Sequence, residues 1–236
     1  VINGSKCFIT NGKEADVYIV IAVTGIIEKN GRKMKEISSF IVEKGTPGFT
    51  FGTKEKKMGI RGSSTYELIF TDCRIPKENL LGKQGQGFKI AMQTLDGGRI
   101  GIASQALGIM QGAIDECVKY VMERRQFGKK IGQFQNTQFE MAQMRAQTEA
   151  AKLLVYQAAC AKDDHEPFSH KAAMAKLVAA RNAMDVTTRC LQLYGGYGYT
   201  KDYPIERMMR DAKITEIYEG TSEVQMMVIS GWMGVK

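Results

Sequence analysis

The first third of the chain contains short runs of β-branched and aromatic residues that are separated by turn-forming residues. The runs occupy residues 17–23, 39–42 and 66–70. Runs of this length and composition are typical of β-strands. The turn formers lie at residues 29–31, 46–48 and 61–64. Because no long helical period separates the runs, the pattern predicts an antiparallel sheet.

From Phe88 onward the apolar positions repeat with the period of an α-helix. Between Ala103 and Val121, small and apolar residues recur every three or four positions, which predicts one long helix. Further helices are predicted at residues 137–162, 169–193 and 223–228. Helices as long as the first three pack antiparallel in a bundle. The sequence therefore predicts a small β domain followed by a helical domain.

The composition is that of an ordinary globular chain with an excess of basic residues. Its 236 residues are enough to bury a sizeable core, and the net charge is +8. This charge suits an anionic partner, either a phosphate-bearing ligand or nucleic acid. The basic residues are spread along the chain without a nucleic-acid-binding motif, so we predict no nucleic-acid partner. No apolar run is long enough to span a bilayer.

Cysteine and histidine spacing argues against a metal site or a disulfide framework. The five cysteines lie far apart, and the two histidines, His165 and His170, lie in a polar stretch that is typical of a loop. We therefore predict free thiols, a reducing compartment and no bound metal. The chain begins at Val1 without an initiator methionine or signal-peptide pattern, so we expect it to come from the interior of a longer polypeptide.

Residues 218–223, Tyr-Glu-Gly-Thr-Ser-Glu, place a carboxylate where one helical pattern stops and another starts. Gly220 allows the backbone to turn and a bulky ligand to approach, and Thr221 or Ser222 can cap the next helix. On this interpretation Glu219 is a catalytic base that lies just before the N-terminus of a helix. Alternatively, Glu219 and Glu223 are solvated acids that favour a helix N-terminus for dipole reasons alone.

Two further segments allow both a structural and a functional interpretation. The run Tyr-Gly-Gly-Tyr-Gly-Tyr at 194–199 follows a predicted helix, so it fits a helix C-cap and turn, or exposed amides that contact a cofactor. It lacks the strand and helix that flank a Rossmann fingerprint. The segment 124–129 supplies cations to the end of the first long helix, or a guanidinium that binds a pyrophosphate with two hydrogen bonds.

Taken in order, six segments of the chain resemble the acyl-CoA dehydrogenase family, specifically its short-chain (butyryl-CoA) branch. They are residues 8–12, 58–61, 96–99, 124–128, 192–198 and 214–221. The resemblance covers the whole chain. It implies an α+β multidomain fold in which a small antiparallel β domain at 1–82 is followed by an up-and-down four-helix-bundle domain at 83–236. The family's N-terminal helical domain would precede Val1.

The resemblance implies an FAD-dependent enzyme that converts short-chain acyl-CoA thioesters into trans-2-enoyl-CoA. Glu219 would accept the α-proton while the β-hydrogen leaves as hydride to the flavin. The backbone amide of Glu219 and a ribityl hydroxyl would polarise the thioester carbonyl. Some branches carry the base just before the arginine of the segment 96–99, where this chain has Gly98. Electrons would pass to an electron-transfer flavoprotein.

The resemblance also implies binding roles for individual residues. Cofactor contacts are expected at Phe8, Ile9, Thr10, Arg124, Gln135, Gln192, Leu193, Tyr194, Gly195, Gly196, Thr221, Ser222 and Glu223. Substrate contacts are expected at Asp96, Gly97, Gly98, Arg99, Tyr218 and Gly220. Many relatives have tryptophan at the position of Phe8, so stacking on the flavin would differ there.

Arg124, Gln135 and residues 192–196 resemble residues that reach the FAD of a neighbouring subunit, which implies a homotetramer. The expected location is the cytoplasm of a bacterium, or the mitochondrial matrix in a eukaryote. Two alternatives stay open. One is an acyl-CoA oxidase of the same superfamily, and the other is a non-catalytic oligomerisation fragment.

Overall fold

The computed structural model describes residues 1–29 and 31–235, which form two compact units. The first unit is Val1–Thr94, and the second begins at Leu95. This division falls inside a helix rather than before it, so the predicted domain boundary between residues 82 and 83 stays a prediction.

The first unit contains two antiparallel sheets. Its strands are β1 (Ile2–Thr10), β2 (Val17–Lys29), β3 (Arg32–Glu43), β4 (Phe49–Lys54), β5 (Thr65–Cys73) and β6 (Leu80–Leu81). One sheet has the order β1-β5-β4 and the other the order β2-β3-β6. The three predicted runs lie inside β2, β3 and β5, so the predicted antiparallel sheet is confirmed. The predicted turn at 29–31 includes residue 30, which lies outside the described residues.

Aromatic side chains form the core of this unit. Phe49 of β4 stacks on Phe70 of β5, with ring centroids 4.8 Å apart. The edge of the Tyr18 ring meets Phe49 at the same distance, and the Tyr18 hydroxyl donates to the carbonyl oxygens of Gly12 and Ala15. Because its hydroxyl is satisfied, the buried Tyr18 packs without an unpaired polar group.

The second unit is helical and follows directly from the apolar periodicity. Within the described residues the α-helices are α1 (Gly87–Glu123), α2 (Gln135–Asp163), α3 (Ser169–Tyr194), α4 (Ile205–Lys213) and α5 (Ser222–Trp232). The four predicted helices lie inside α1, α2, α3 and α5. The short helix α4 was not predicted. His170, which we expected in a loop, lies in α3 and stacks on Trp232.

Polar and aromatic contacts fix the directions of the three long helices. Tyr120, near the end of α1, stacks on Tyr194 at the end of α3, with centroids 3.9 Å apart. Arg189, also near the end of α3, forms an ion pair with Glu140 near the beginning of α2. α1 and α3 therefore run in one direction and α2 in the other, as expected for an up-and-down bundle. None of the helices in the described residues is both long and apolar enough to cross a membrane.

Candidate active site

Glu219 lies in a tight turn between a short 3-10 helix, Ile214–Glu216, and α5. Its backbone φ is 53° and that of Gly220 is 91°, so both residues adopt left-handed conformations. Glycine adopts this region freely, whereas for other residues it costs about 1–2 kcal/mol. Non-glycine residues held in such conformations cluster at functional sites. The surrounding structure therefore has to maintain the conformation of Glu219.

The beginning of α5 separates the two acids of the turn. Thr221 is the N-cap, and its hydroxyl accepts a hydrogen bond from the Val224 amide at 3.4 Å. Glu223 lies in the first turn of α5, where its own backbone amide and then the Thr221 hydroxyl hold the pKa of its carboxyl below the ordinary value. Glu223 thus behaves as a helix N-terminal acid. Glu219 precedes the helix and is half-buried.

The carboxylate of Glu219 rests against Gly98 of α1. A β-carbon at position 98 would lie 3.0 Å from the carboxyl carbon of Glu219 and closer still to Oε2. The missing side chain of Gly98 therefore leaves the space that the carboxylate occupies. Position 98 is the one at which the family resemblance locates the base in other branches. The structure brings the two positions together, although 121 residues separate them in the sequence.

The next residue of α1, Arg99, is buried to 4% exposure. One of its terminal nitrogens lies 2.5 Å from Asp96 Oδ1, which also accepts a hydrogen bond from the Ser169 hydroxyl at 2.9 Å. Within the described residues, the Nε of Arg99 has no hydrogen-bond partner. A buried, unpaired N–H is costly, so this atom is suited to an acceptor supplied by a ligand. Gly97, by contrast, faces the flexible end of Lys162 at 3.4 Å.

Tyr218 precedes Glu219 in the turn and is half-buried. Its hydroxyl donates to the side-chain oxygen of Gln105 on α1. Burial raises the pKa of Tyr218, which keeps the phenol neutral at physiological pH. The ring therefore contributes an apolar surface with a fixed, satisfied polar end.

Two buried polar side chains, which the sequence analysis did not indicate, donate hydrogen bonds to carbonyl oxygens of the turn. Lys176 of α3 donates to the Gly220 carbonyl oxygen at 2.7 Å. Gln225 of α5 donates to the same oxygen at 2.8 Å and to the Glu219 carbonyl oxygen at 3.1 Å. Both side chains are fully buried. A lysine among the alanines of α3 is the one sequence signal that could have revealed this contact.

A second candidate site lies at the other end of the bundle. A cavity of about 490 Å³ is lined by residues from the end of α1 and from the turn after α3. It includes the predicted cofactor residues Arg124, Gln192, Leu193, Tyr194, Gly195 and Gly196. The Arg124 guanidinium lies 5.2 Å from the centre of the Tyr197 ring. Gln135 begins α2 and is not among the lining residues.

The backbone around this cavity both confirms and corrects the sequence analysis. Gly195 is the C-cap of α3 with a φ of 60°, so the predicted C-cap is confirmed, and the residues predicted as a turn form a 3-10 helix, Gly195–Tyr199. The prediction that residues 124–129 end the first helix was wrong beyond Arg124. α1 ends at Glu123, and a hairpin follows in which β7 (Arg125–Gln126) pairs with β8 (Lys129–Lys130). Its two central residues have positive φ values, which two-residue hairpin loops favour.

The predicted flavin contacts of the first unit lie at the end of β1. Phe8 adopts a left-handed φ of 57° and its side chain is 71% exposed. Ile9 packs against the core of the sheets, and Thr10 pairs with Thr65 of β5. The register shifts between Lys6 and Ile9, which turns Phe8 outward. The binding roles of these three residues remain predictions.

The fold agrees with what comparison with known proteins reveals. Residues 1–73 match the acyl-CoA dehydrogenase middle domain, and residues 85–234 match the acyl-CoA dehydrogenase C-terminal domain. The chain belongs to the acyl-CoA dehydrogenase family.

Two of the similar proteins are a short-chain-specific acyl-CoA dehydrogenase and a butyryl-CoA dehydrogenase. A short-chain-specific acyl-CoA dehydrogenase of Clostridium acetobutylicum is 59% identical over 98% of this chain and 60% of its own length. The structure of butyryl-CoA dehydrogenase from Megasphaera elsdenii is 56% identical with a TM-score of 0.93, over 98% of this chain and 59% of that one. This chain thus spans about three fifths of the length of the relatives that it matches.

A third similar chain comes from a structural study of electron transfer. It belongs to a solved structure of the electron transferring flavoprotein of Acidaminococcus fermentans, described as a step towards a mechanism of flavin-based electron bifurcation. It is 59% identical with a TM-score of 0.92, and the match covers 98% of this chain and 60% of that one.

Proposed function

We propose that the full-length protein is an FAD-dependent short-chain acyl-CoA dehydrogenase in which Glu219 accepts the α-proton of the substrate. The observation that carries this proposal is the half-buried Glu219 carboxylate, which rests on Gly98 in a left-handed turn. Short-chain dehydrogenases at 56% and 59% identity support the substrate class.

The chemistry requires a base and a polarised carbonyl at the same place. The α-proton of a thioester is a weak acid, so negative charge that develops on the carbonyl oxygen needs a hydrogen-bond donor. The backbone N–H of Glu219 supplies one such donor, and the adjacent carboxylate takes the proton. Bound FAD would supply the acceptor for the β-hydrogen, which leaves as hydride. The substrate thereby loses one proton and one hydride and becomes a trans-2-enoyl-CoA.

The residues around Glu219 fit an acyl-CoA. Gly98 leaves the space that the Glu219 carboxylate needs, Gly220 allows the left-handed backbone of the turn, and Tyr218 supplies an apolar wall. The unpaired Nε of Arg99 offers a hydrogen bond on the same turn of α1, and Asp96 fixes the guanidinium. Asp96, Gly97, Gly98, Arg99, Tyr218 and Gly220 are accordingly proposed as substrate-site residues.

The second cavity fits a phosphate-bearing part of FAD. It combines the Arg124 guanidinium with backbone groups of the glycine turn, and both types of donor bind phosphate oxygens well. The N-terminus of α5, with Thr221, Ser222 and Glu223, is proposed as a further FAD contact, together with residues 8–10 and Gln135. The two clusters lie at opposite ends of the bundle, so we propose that the second serves the FAD of a neighbouring subunit in a homotetramer.

An electron-transfer flavoprotein is the proposed electron acceptor. The similar chain in the electron transferring flavoprotein structure from Acidaminococcus fermentans supports this partner. The alternative acceptor is molecular oxygen, as in an acyl-CoA oxidase. The proposed location is cytoplasmic in a bacterium, or the mitochondrial matrix in a eukaryote.

Turnover of butyryl-, hexanoyl- and octanoyl-CoA by the full-length protein tests this function. We expect formation of the 2-enoyl-CoA with electron-transfer flavoprotein present, fastest with butyryl-CoA. Rapid peroxide formation without an acceptor protein would favour the oxidase instead. No enoyl-CoA with any of the three substrates would contradict the proposal and favour a non-catalytic module.

A further inference from the structure

Lys176 lies in a part of α3 where burial of a charged side chain is energetically unfavourable. The residue is fully buried, and its neighbours one turn away include Ala172, Ala173, Ala179 and Ala180, all buried as well. An ammonium group in such surroundings is destabilising unless it is paired and hydrogen-bonded. A specific contact therefore has to account for the lysine.

The contact that Lys176 makes is with a carbonyl oxygen rather than with a carboxylate. Its Nζ donates to the Gly220 carbonyl oxygen at 2.7 Å. Within the described residues, no carboxylate oxygen lies within 4 Å of this nitrogen. A charged donor forms a stronger hydrogen bond than a neutral one. The lysine thus acts mainly on one peptide group of the turn.

The charges that surround Lys176 come from the elements that carry the candidate active site. Burial lowers the pKa of Lys176 to about 8, and Arg99 of α1 acts in the same direction. Glu216 of the 3-10 helix, Glu219 of the turn and Glu223 of α5 act in the opposite direction. Lys176 therefore titrates close to physiological pH and is sensitive to the acid that we propose as the base.

The turn itself needs to be held. Glu219 and Gly220 both have left-handed backbones, and the Glu219 conformation is unfavourable on its own. Lys176 donates a hydrogen bond to the Gly220 carbonyl oxygen. Gln225 donates to the same oxygen and to the Glu219 carbonyl oxygen. These hydrogen bonds restrain the two peptide groups that follow Glu219 and Gly220, in the conformation in which the Glu219 carboxylate lies against Gly98.

We propose that Lys176 is a positioning residue, which holds the Gly220 carbonyl so that the Glu219 carboxylate stays over Gly98. This inference rests on the proposed role of Glu219 as the base. It predicts that the charge on Lys176 affects the rate of proton removal more than it affects substrate binding, because in the described part of the chain its hydrogen bond involves Gly220 alone among the proposed substrate-site residues.

The test compares Lys176→Met with Lys171→Met in the full-length protein containing FAD. Methionine retains the length and apolar stem of lysine but loses the charge and the donor. Lys171 lies on the same helix, and its amine pairs with Glu166 at 3.0 Å. The measurement is anaerobic reduction of bound flavin by butyryl-CoA at several substrate concentrations.

We expect Lys176→Met to lower the limiting rate of reduction per bound flavin by about tenfold, because the charged donor to the Gly220 carbonyl oxygen is lost while Gln225 still donates to it. The butyryl-CoA concentration for half-maximal rate should change far less, and Lys171→Met should match wild type. A normal limiting rate per bound flavin in Lys176→Met would overturn the proposal, even if that variant were less stable.

The pH dependence of the limiting rate of flavin reduction supplies a second test. A lysine with a purely structural role would not make this rate depend on its own protonation. As Lys176 loses its proton through pH values near 8, its hydrogen bond to Gly220 weakens, so the wild-type rate should fall in this range. The Lys171→Met variant should show the same fall. A wild-type rate that does not change between pH 7 and 9.5 would overturn the proposal, whether or not Lys176→Met folds.

The failure of this inference is distinguishable from failure of the proposed function. If Glu219→Gln still reduces its flavin rapidly, Glu219 is not the base and the proposed function is wrong. If Glu219→Gln is inactive but Lys176→Met reacts at the wild-type rate, only the role of Lys176 is refuted.

Discussion

Replacing Gly98 by alanine should separate helix stability from catalysis. Alanine stabilises a helix interior by about 0.5–1 kcal/mol relative to glycine, so α1 alone should gain stability. The new β-carbon, however, would lie 3.0 Å from the carboxyl carbon of Glu219, whereas carbon atoms in ordinary contact lie about 3.5–4.0 Å apart. The carboxylate therefore has to move by roughly 0.5–1 Å. Misplacement of a reacting group by 1 Å can cost about 100-fold in rate, so we expect a loss of about 10- to 100-fold.

Gly101→Ala is the matched control for this substitution. Gly101 lies almost one helical turn further along α1, and a β-carbon there would have nothing within 4 Å. It should gain the same helix stability without a loss of rate. The assay is anaerobic reduction of bound flavin by butyryl-CoA, together with FAD content and thermal denaturation of both variants. If Gly98→Ala reduced its flavin as fast as Gly101→Ala, the carboxylate would not act from the position seen in the structure, and the reasoning would be refuted.

Three further predictions follow from the buried lysine, the second cavity and the extent of the chain. The pKa of Lys176 is 10.5 in the unfolded state and about 8 in the folded state. The free-energy cost of burying the charged amine is therefore fully present below pH 8, and it is relieved as the pH rises. Between pH 7 and 9.5, the free energy of unfolding of wild type, measured by thermal denaturation, should rise by about 2 kcal/mol more than that of Lys176→Met. The free energy of unfolding of Lys171→Met should rise as much as that of wild type. Equal pH dependence in wild type and Lys176→Met would contradict the assignment. Arg124→Lys should weaken FAD binding in the full-length protein by about tenfold, because lysine cannot bind phosphate with two parallel hydrogen bonds, and the exposed Arg125→Lys should not; equal FAD titrations of the two variants would exclude this contact. Residues 1–236 span about three fifths of the relatives' length and should bind FAD weakly when expressed alone; a stoichiometric, tightly bound flavin would show instead that these residues are sufficient for the cofactor site.

Local sequence patterns were sufficient for most of the helices and for three strands. The strands in β2, β3 and β5 consist of β-branched and aromatic residues that the sheet buries. β1 was missed because most of its side chains are exposed, so it lacks an apolar pattern. α4 was missed because it has only nine residues, five of them charged, so it shows no extended apolar period. Elements that are exposed or very short leave little signal in the sequence.

In the candidate site, contacts between residues that lie far apart in the sequence could not be predicted either. Glu219 could be singled out because Gly220 and Thr221 lie beside it in the sequence. The contact between Glu219 and Gly98 could not be derived from spacing, and the role of position 98 came from the family resemblance. Lys176 bonds to a carbonyl 44 residues away, and no local pattern predicts such a pairing. The residues that hold the turn therefore became visible only in the folded chain.

The central claim is that Glu219, rather than the neighbouring Glu223, accepts the α-proton. The most direct test is single-turnover reduction of the flavin by butyryl-CoA in full-length Glu219→Gln and Glu223→Gln proteins, with the rate expressed per bound FAD. We predict that Glu219→Gln retains FAD but does not reduce it, because the amide cannot accept the proton, whereas Glu223→Gln loses FAD affinity and still reduces the flavin that it holds. Rapid reduction in Glu219→Gln would contradict the account.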